Sequence, residues 1–169
     1  MTRRRSLALT VTLGLSVGSC GGDEGDDASR PLIADIDPAI DAVERELGGA
    51  QRYFEINATP QLVNLFVADV DAGTVTPYVY AGDRLQDPGE AVAVSGGTPF
   101  TAADVSEDLG AIIGGVTDEL PDSDVSVFVI FPDEAGRPRY GATVTSASGG
   151  VLEVDLGADG QVLAVDAEA

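Results

Sequence analysis

Val125-Ser126-Val127-Phe128-Val129-Ile130-Phe131 is apolar on both of its alternating faces, with a single serine as the exception. A run of this kind predicts a central strand buried on both sides of a sheet. Pro132-Asp133-Glu134-Ala135-Gly136-Arg137 then reads as a loop, Tyr140 to Thr145 as a strand, Gly149-Gly150 as a turn and Val151 to Leu156 as another strand. Ala158-Asp159-Gly160 is a strong hairpin signal, and Val162 to Val165 closes the run. Upstream, Leu109, Ile112, Ile113, Val116 and Leu120 recur at helical spacing, with Ser106 or Thr101 available as a cap and Pro121 as a stop. Gly114-Gly115 inside that helix either weakens it or lets another segment pack close.

The first half repeats the order. Asp37-Pro38 is expected to open a helix, with Asp37 as cap and Pro38 in the first turn. Ile40, Val43 and Leu47 form its stripe, and Gly48-Gly49 ends it. Arg52 to Asn57 alternates, which puts Phe54 and Ile56 on one face. Leu62 to Ala68 follows as a second strand after the turn Ala58-Thr59-Pro60-Gln61. Asp71-Ala72-Gly73 turns the chain into Thr74 to Tyr80, where Val75 and Val79 oppose Thr76, Tyr78 and Tyr80. Ala91 to Val94 reads as a short fourth strand.

Helix, then four strands, therefore runs from Pro38 to Val94 and again from Ser106 to Val165. The expected fold is α+β: two helix-then-antiparallel-strands repeats, residues 36–98 and 99–169, forming one sheet with both helices on one face. One helix on one small sheet buries too little to stand alone, so the two units are expected to share one compact domain. Gly150-Val151-Leu152-Glu153-Val154-Asp155-Leu156 and Asp159-Gly160-Gln161-Val162-Leu163 resemble the closing strands of tandem PepSY-type units. The helix-then-sheet tandem is similar to the architecture of the beta-lactamase-inhibitory proteins. The likeness is clearest from Glu119 to Val165 and implies binding or inhibition of an exported enzyme rather than catalysis.

The N-terminus carries a different message. Arg3, Arg4 and Arg5 precede an uncharged, mostly apolar run from Ser6 to Val17, followed by Val17-Gly18-Ser19-Cys20. The run is shorter than the roughly 18 apolar residues a membrane-spanning helix needs. A basic start, a short apolar middle and small residues at a cut site make a secretory signal. Val17 to Cys20 resembles the lipobox of bacterial lipoproteins. That resemblance implies cleavage after Ser19, acylation of Cys20 and anchoring to the outer face of the cell membrane; two or more acyl chains suffice for stable anchoring. Thr2 to Leu7 also loosely resembles a twin-arginine export signal, and the Sec route stays open beside it. Gly21-Gly22-Asp23-Glu24-Gly25-Asp26-Asp27 is too glycine-rich and too like-charged to fold, so residues 20–35 are expected to be an acidic tether.

Composition narrows the chemistry. The chain has nine basic residues against 29 acidic ones and no histidine, for a net charge of −20; all nine basic residues are arginine. With three of them in residues 1–19, the remainder carries 6 arginines against 29 acids, a net −23. Such a surface repels nucleic acid and anionic lipid headgroups but permits a basic partner or divalent cations. Without histidine the usual general base and the usual zinc ligand are missing, and no Ser–His–Asp triad can form. Gly14-Leu15-Ser16-Val17-Gly18 fits a nucleophile-elbow pattern only by chance, inside the signal segment.

Asp69-Val70-Asp71-Ala72-Gly73 looks like the start of a calcium loop. The bidentate acid required at its twelfth position falls on Tyr80, so a hairpin turn is the better reading. Asp155 with Asp159 is likewise turn chemistry. Acidic pairs such as Asp118/Glu119 and Asp133/Glu134 could serve glycoside hydrolysis only within a cleft. No catalytic residue, cofactor or metal is therefore expected. Tyr78 and Tyr80, if they face outward, form an aromatic stripe of the kind enriched at interfaces; otherwise they cover the sheet under a loop. The functional expectation is a membrane-anchored, exported, non-catalytic protein-binding module of the cell envelope, inhibitor- or sensor-like. The alternative is a carrier of a lipid or other hydrophobic ligand, which needs an unfilled cavity of several hundred Å³.

Overall fold

The computed structural model describes residues 30–147 and 149–167. Cys20, the expected signal segment and most of the expected tether lie outside the described residues. Within them the protein is mixed α/β and mostly sheet: one antiparallel sheet of ten strands and two α-helices.

The folded part starts earlier than residue 36. Pro31 is buried, the Leu32 N–H donates to the Thr59 carbonyl at 3.0 Å, and Ile33–Asp35 forms a 3-10 turn. That turn runs directly into α1 (Ile36–Leu47), so the residue before the helix is Asp35 and Asp37 lies inside its first turn rather than capping it. There its charge still suits the positive end of the helix dipole. Ile36, Ala39, Ile40 and Val43 form the buried stripe. Gly48, at φ +79°, ends the helix in the left-handed conformation that glycine adopts without penalty, and the Gly49 N–H returns to the Glu44 carbonyl at 2.8 Å.

Strands β1 (Arg52–Ala58), β2 (Val63–Asp69) and β3 (Thr74–Ala81) form a meander. Beyond it, β4 (Arg84–Leu85) and β5 (Val92–Ala93) pair in short pieces along the outer edge of β3, and β6 (Phe100–Thr101) returns to pair with the start of β1. The expected fourth strand at 91–94 is thus divided in function. The two residues of β4 take the place beside β3 first, because the tight turn at Gly82 and Asp83, both with positive φ, reverses the chain at once.

A 3-10 turn at Ala102–Asp104 leads toward α2 (Leu109–Glu119). Its cap is Asp108, whose Oδ1 accepts the Ala111 N–H at 2.8 Å. Thr101 instead closes a capping box with Asp104 on the preceding turn. Strands β7 (Ser123–Pro132), β8 (Pro138–Ser146), β9 (Val151–Leu156) and β10 (Val162–Ala167) complete the sheet.

The strand order is β10-β9-β8-β7-β1-β2-β3-β4. β1 and β7, each the first full strand after a helix, lie side by side at the centre through Ile56–Ile130, Asn57–Val129 and Ala58–Phe128. One apolar cluster takes buried residues from both helices and from strands on both sides of that seam, including Tyr53, Ile56, Leu65, Phe128, Ile130, Val144 and Leu156. The helices present Ile40 and Val43, and Ile112 and Val116, to the same cluster. Burial of this apolar surface is the main favourable term for folding.

Bulges reset the alternation. Phe54 is an extra residue between the Tyr53–Val67 and Glu55–Phe66 pairs, so Tyr53, Ile56 and Ala58 are the buried residues of β1. The expectation that Phe54 and Ile56 share a face is therefore corrected. Ser126 is similarly bulged in β7, where its hydroxyl donates to the Thr143 carbonyl at 3.1 Å.

Candidate functional site

Alternation divides the strand residues into a core-facing set and a second set that lies outside the apolar cluster. In β7 the core set is Val125, Phe128 and Ile130; Val127, Val129 and Phe131 are only partly buried. The strand expected to be buried on both faces is central in the sheet but covered fully on one. Across the neighbouring strands the same outer set comprises Glu55 and Asn57 of β1, Asn64 and Phe66 of β2, and Gly141 and Thr143 of β8.

Two features organise this surface. The first is a chain of side-chain hydrogen bonds running across two strands. Asn64 Nδ2 donates to Asn57 Oδ1 at 2.7 Å, and Asn57 Nδ2 donates to Glu55 Oε1 at 2.6 Å. Each link fixes the next amide, so the row presents oriented polar groups at little further cost in side-chain entropy. Phe66 lies directly across the ladder from Glu55. The second feature is an apolar spot on the β7–β8 ladder. A Cβ on Gly141 would meet Val129 Cγ1 at 3.1 Å and Phe131 Cε1 at 3.5 Å, so the glycine is what lets the Phe131 ring lie close against the sheet.

Charged residues border these features. Arg139 Nη2 approaches Asp155 Oδ2 at 3.4 Å, with both side chains partly exposed, and Thr143 Oγ1 donates to Glu153 Oε1 at 3.1 Å. At one end the segment after β5 passes the Phe54 ring, where a Cβ on Gly97 would stand 3.2 Å from Cε1. Phe66, Val129 and Phe131 remain partly exposed.

Tyr78 and Tyr80 do not belong to this surface. They are 7% and 8% exposed and sit in the apolar core, Tyr78 opposite Leu65 and Tyr80 opposite Val63. The alternation of β3 holds, but its aromatic set faces inward, because a tyrosine buries a large ring while its hydroxyl stays near the rim. The outward aromatic stripe is corrected accordingly. Tyr53 and Tyr140 are buried as well. Burial, and then the charge of Glu44, pushes the Tyr53 phenol far above its usual range; Glu44 approaches the hydroxyl without hydrogen-bonding geometry. Tyr140 is also raised by burial, partly offset because its oxygen accepts the Ser106 N–H at 2.8 Å.

The acidic residues singled out from sequence serve local structure. Asp69 Oδ1 accepts the Ala72 N–H at 2.9 Å, and Asp159 Oδ1 accepts the Gln161 N–H at 3.3 Å. Asp133 holds the β7–β8 turn through the Ala135 and Arg137 N–H groups and a 2.7 Å ion pair with Arg137. Those hydrogen bonds lower its carboxyl below the ordinary range. Asp118 and Glu119 stand exposed at the end of α2. Among the described residues no cluster of His, Cys, Asp or Glu side chains has metal-holding geometry, and no helix is long and apolar enough to cross a membrane.

Phe66, Val129 and Phe131 lie on expected strands, and alternation within a single strand does not separate them from core residues. The discriminating signal was the row of Glu55, Asn57 and Asn64, polar positions that hydrogen-bond to one another across adjacent strands. No known family profile, no curated protein and no solved structure matches the chain.

Proposed function

We propose that the chain is an exported lipoprotein, held to the outer face of the membrane by acyl chains on Cys20, whose folded part is a non-catalytic protein-binding module with an inhibitor- or sensor-like role in the cell envelope. The single observation that supports the binding role is the second face of the sheet. It combines partly exposed Phe66, Val129 and Phe131 with the prearranged Asn64–Asn57–Glu55 row. Apolar anchors set beside satisfied polar groups on a rigid sheet fit the make-up of a protein interface. The lipobox residues Val17 to Cys20 support the anchoring.

The repeat reading belongs to the same proposal. Two PepSY-like units, each a helix followed by strands, would join at the β1–β7 seam with both helices on one face of the sheet. The seam position of β1 and β7 and the single cluster shared by both helices support it.

The carrier alternative gains little from the main hollows among the described residues, which are open grooves. Native mass spectrometry of the purified protein tests it: a lipid mass that disappears on denaturation would favour the carrier. The binding role is tested by crosslinking the full-length protein in its own envelope, wild type against Phe66→Ser and Val129→Ser. A saturable crosslinked partner that both substitutions remove is expected, and a partner pattern unchanged by them would overturn the reading. Anchoring is tested separately: Cys20→Ser should move the protein from the membrane fraction to the soluble one.

A further inference from the structure

A second surface lies away from the sheet face just described. The first described residues, the 3-10 turn and α2 enclose an open groove of about 1130 Å³. Its apolar lining comes from Leu32 and Ile33 on one side and from Leu109, Ile113 and Val125 on the other. Asp37, Glu107 and Asp124 line it too, all exposed, and no ion pair among the described residues reaches them. Asp35 and Asp108 add to this charge, against Arg30, the single cation among the described residues that line the groove.

We propose that this groove docks a cationic amphipathic segment of a protein partner, its apolar side toward Ile33 and Ile113 and its lysines or arginines toward Asp37, Glu107 and Asp124. Charge complementarity carries the choice of occupant. Five carboxylates face one guanidinium, and low-dielectric groove walls concentrate the field they create. Residues 20–29, which precede Arg30 in sequence, carry Asp23, Glu24, Asp26 and Asp27, the same sign of charge as the rim, and so make a poor occupant. An anionic lipid is excluded by the same sign of charge. An amphipathic segment laid in an apolar groove is a common mode of peptide recognition.

Gly114 supplies a clean test. It lines the groove on α2, and a Cβ built there meets nothing within 4 Å, so a large side chain fills the groove without disturbing the core. The probe is a 14-residue amphipathic peptide of leucine and lysine, titrated by fluorescence anisotropy into the mature protein, residues 20–169. Controls are a glutamate-for-lysine version and a serine-for-leucine version.

Saturable one-to-one binding of the leucine–lysine peptide alone is expected. It should weaken at least 10-fold in the triple variant Asp37→Asn, Glu107→Gln, Asp124→Asn and at least 10-fold in Gly114→Phe, with unchanged circular dichroism in both. Rising salt should weaken the wild type far more than the triple variant. Equal binding of the serine version, or undiminished binding by Gly114→Phe, would overturn the proposal by reducing the effect to unspecific charge attraction. The Phe66 and Val129 variants should bind the peptide normally, so failure here leaves the sheet-face reading standing, and the reverse.

Discussion

Gly115 on α2 and Gly160 in the β9–β10 turn pack backbone against backbone: a methyl group on Gly115 would overlap the Gly160 carbonyl, and one on Gly160 would lie 2.9 Å from the Ala111 carbonyl oxygen. The turn is seated on the helix because neither residue has a side chain. Gly160 also needs its freedom for a φ of +82°. Gly114, one position away, faces open space. Gly115→Ala should therefore destabilise the fold by about 2 kcal/mol through forced separation of helix and turn. Gly114→Ala should stabilise it by roughly 0.5–1 kcal/mol through helix propensity alone. Urea melts of the two variants check this; equal effects would contradict the packing.

Two buried tyrosines should respond differently to loss of the hydroxyl. Tyr140 accepts the Ser106 N–H at 2.8 Å, so Tyr140→Phe leaves a donor without its partner and should cost about 1–2 kcal/mol. The Tyr53 hydroxyl is buried and makes no hydrogen bond, so Tyr53→Phe removes a desolvated polar atom and should be neutral or stabilising by up to about 1 kcal/mol. Thermal melts at neutral pH distinguish them.

Tyr53 also links stability to alkaline pH. Its phenol is raised in the folded protein above its ordinary value of 10.0, by burial first and the Glu44 charge second. The folded state thus holds the proton where the unfolded state releases it. The contribution is intact below pH 10 and is lost as pH rises above it. Wild type should lose stability above that point more steeply than Tyr53→Phe, as followed by denaturant midpoints across the range.

Asp133 acts at the other end of the pH scale. Hydrogen bonds from Arg137 and Ala135 hold its carboxyl below the usual 3.8, so the β7–β8 turn is favoured above that value and loosens as pH falls through the lowered one. Carboxyl carbon resonances should show Asp133 titrating below 3.8. Asp133→Asn should remove the acid-induced increase in hydrogen exchange at the Gly136 amide, which donates to the Asp133 carbonyl at 3.0 Å.

Much of the scaffold was legible because it rests on local chemistry. Helical spacing from Ile40 to Leu47 and from Leu109 to Leu120, the left-handed glycines at Gly48 and Gly160, and the apolar run at Val125 each impose structure through a few neighbouring residues. The misread positions depend on partners distant in sequence. Phe54 lost its place beside Ile56 because a bulge adds a residue to β1, which period-two counting cannot detect. Asp37-Pro38 marked a plausible helix start, but Leu32 bonds to Thr59 and draws the chain into helical geometry sooner. The inward turn of Tyr78 and Tyr80 is set by which side of β3 meets the shared core. The sheet-face row needed register across β1 and β2 to bring Asn57 beside Asn64.

The central seam has a kinetic consequence. β2–β3, β7–β8 and β9–β10 close through short turns, whereas Ile56 and Ile130, paired across the seam, are 74 positions apart in the chain. Closing so long a loop costs chain entropy before any contact repays it, and the ladder that repays it has three residue pairs. Assembly is expected to proceed from the locally closed hairpins inward, with the β1–β7 junction forming last. Conservative truncations there, Ile56→Val and Ile130→Val, should speed unfolding and leave the folding rate nearly unchanged, while Val144→Ala in the β7–β8 flank should slow folding. In a protein built this way the most long-range strand pairing is expected to be the last step of folding.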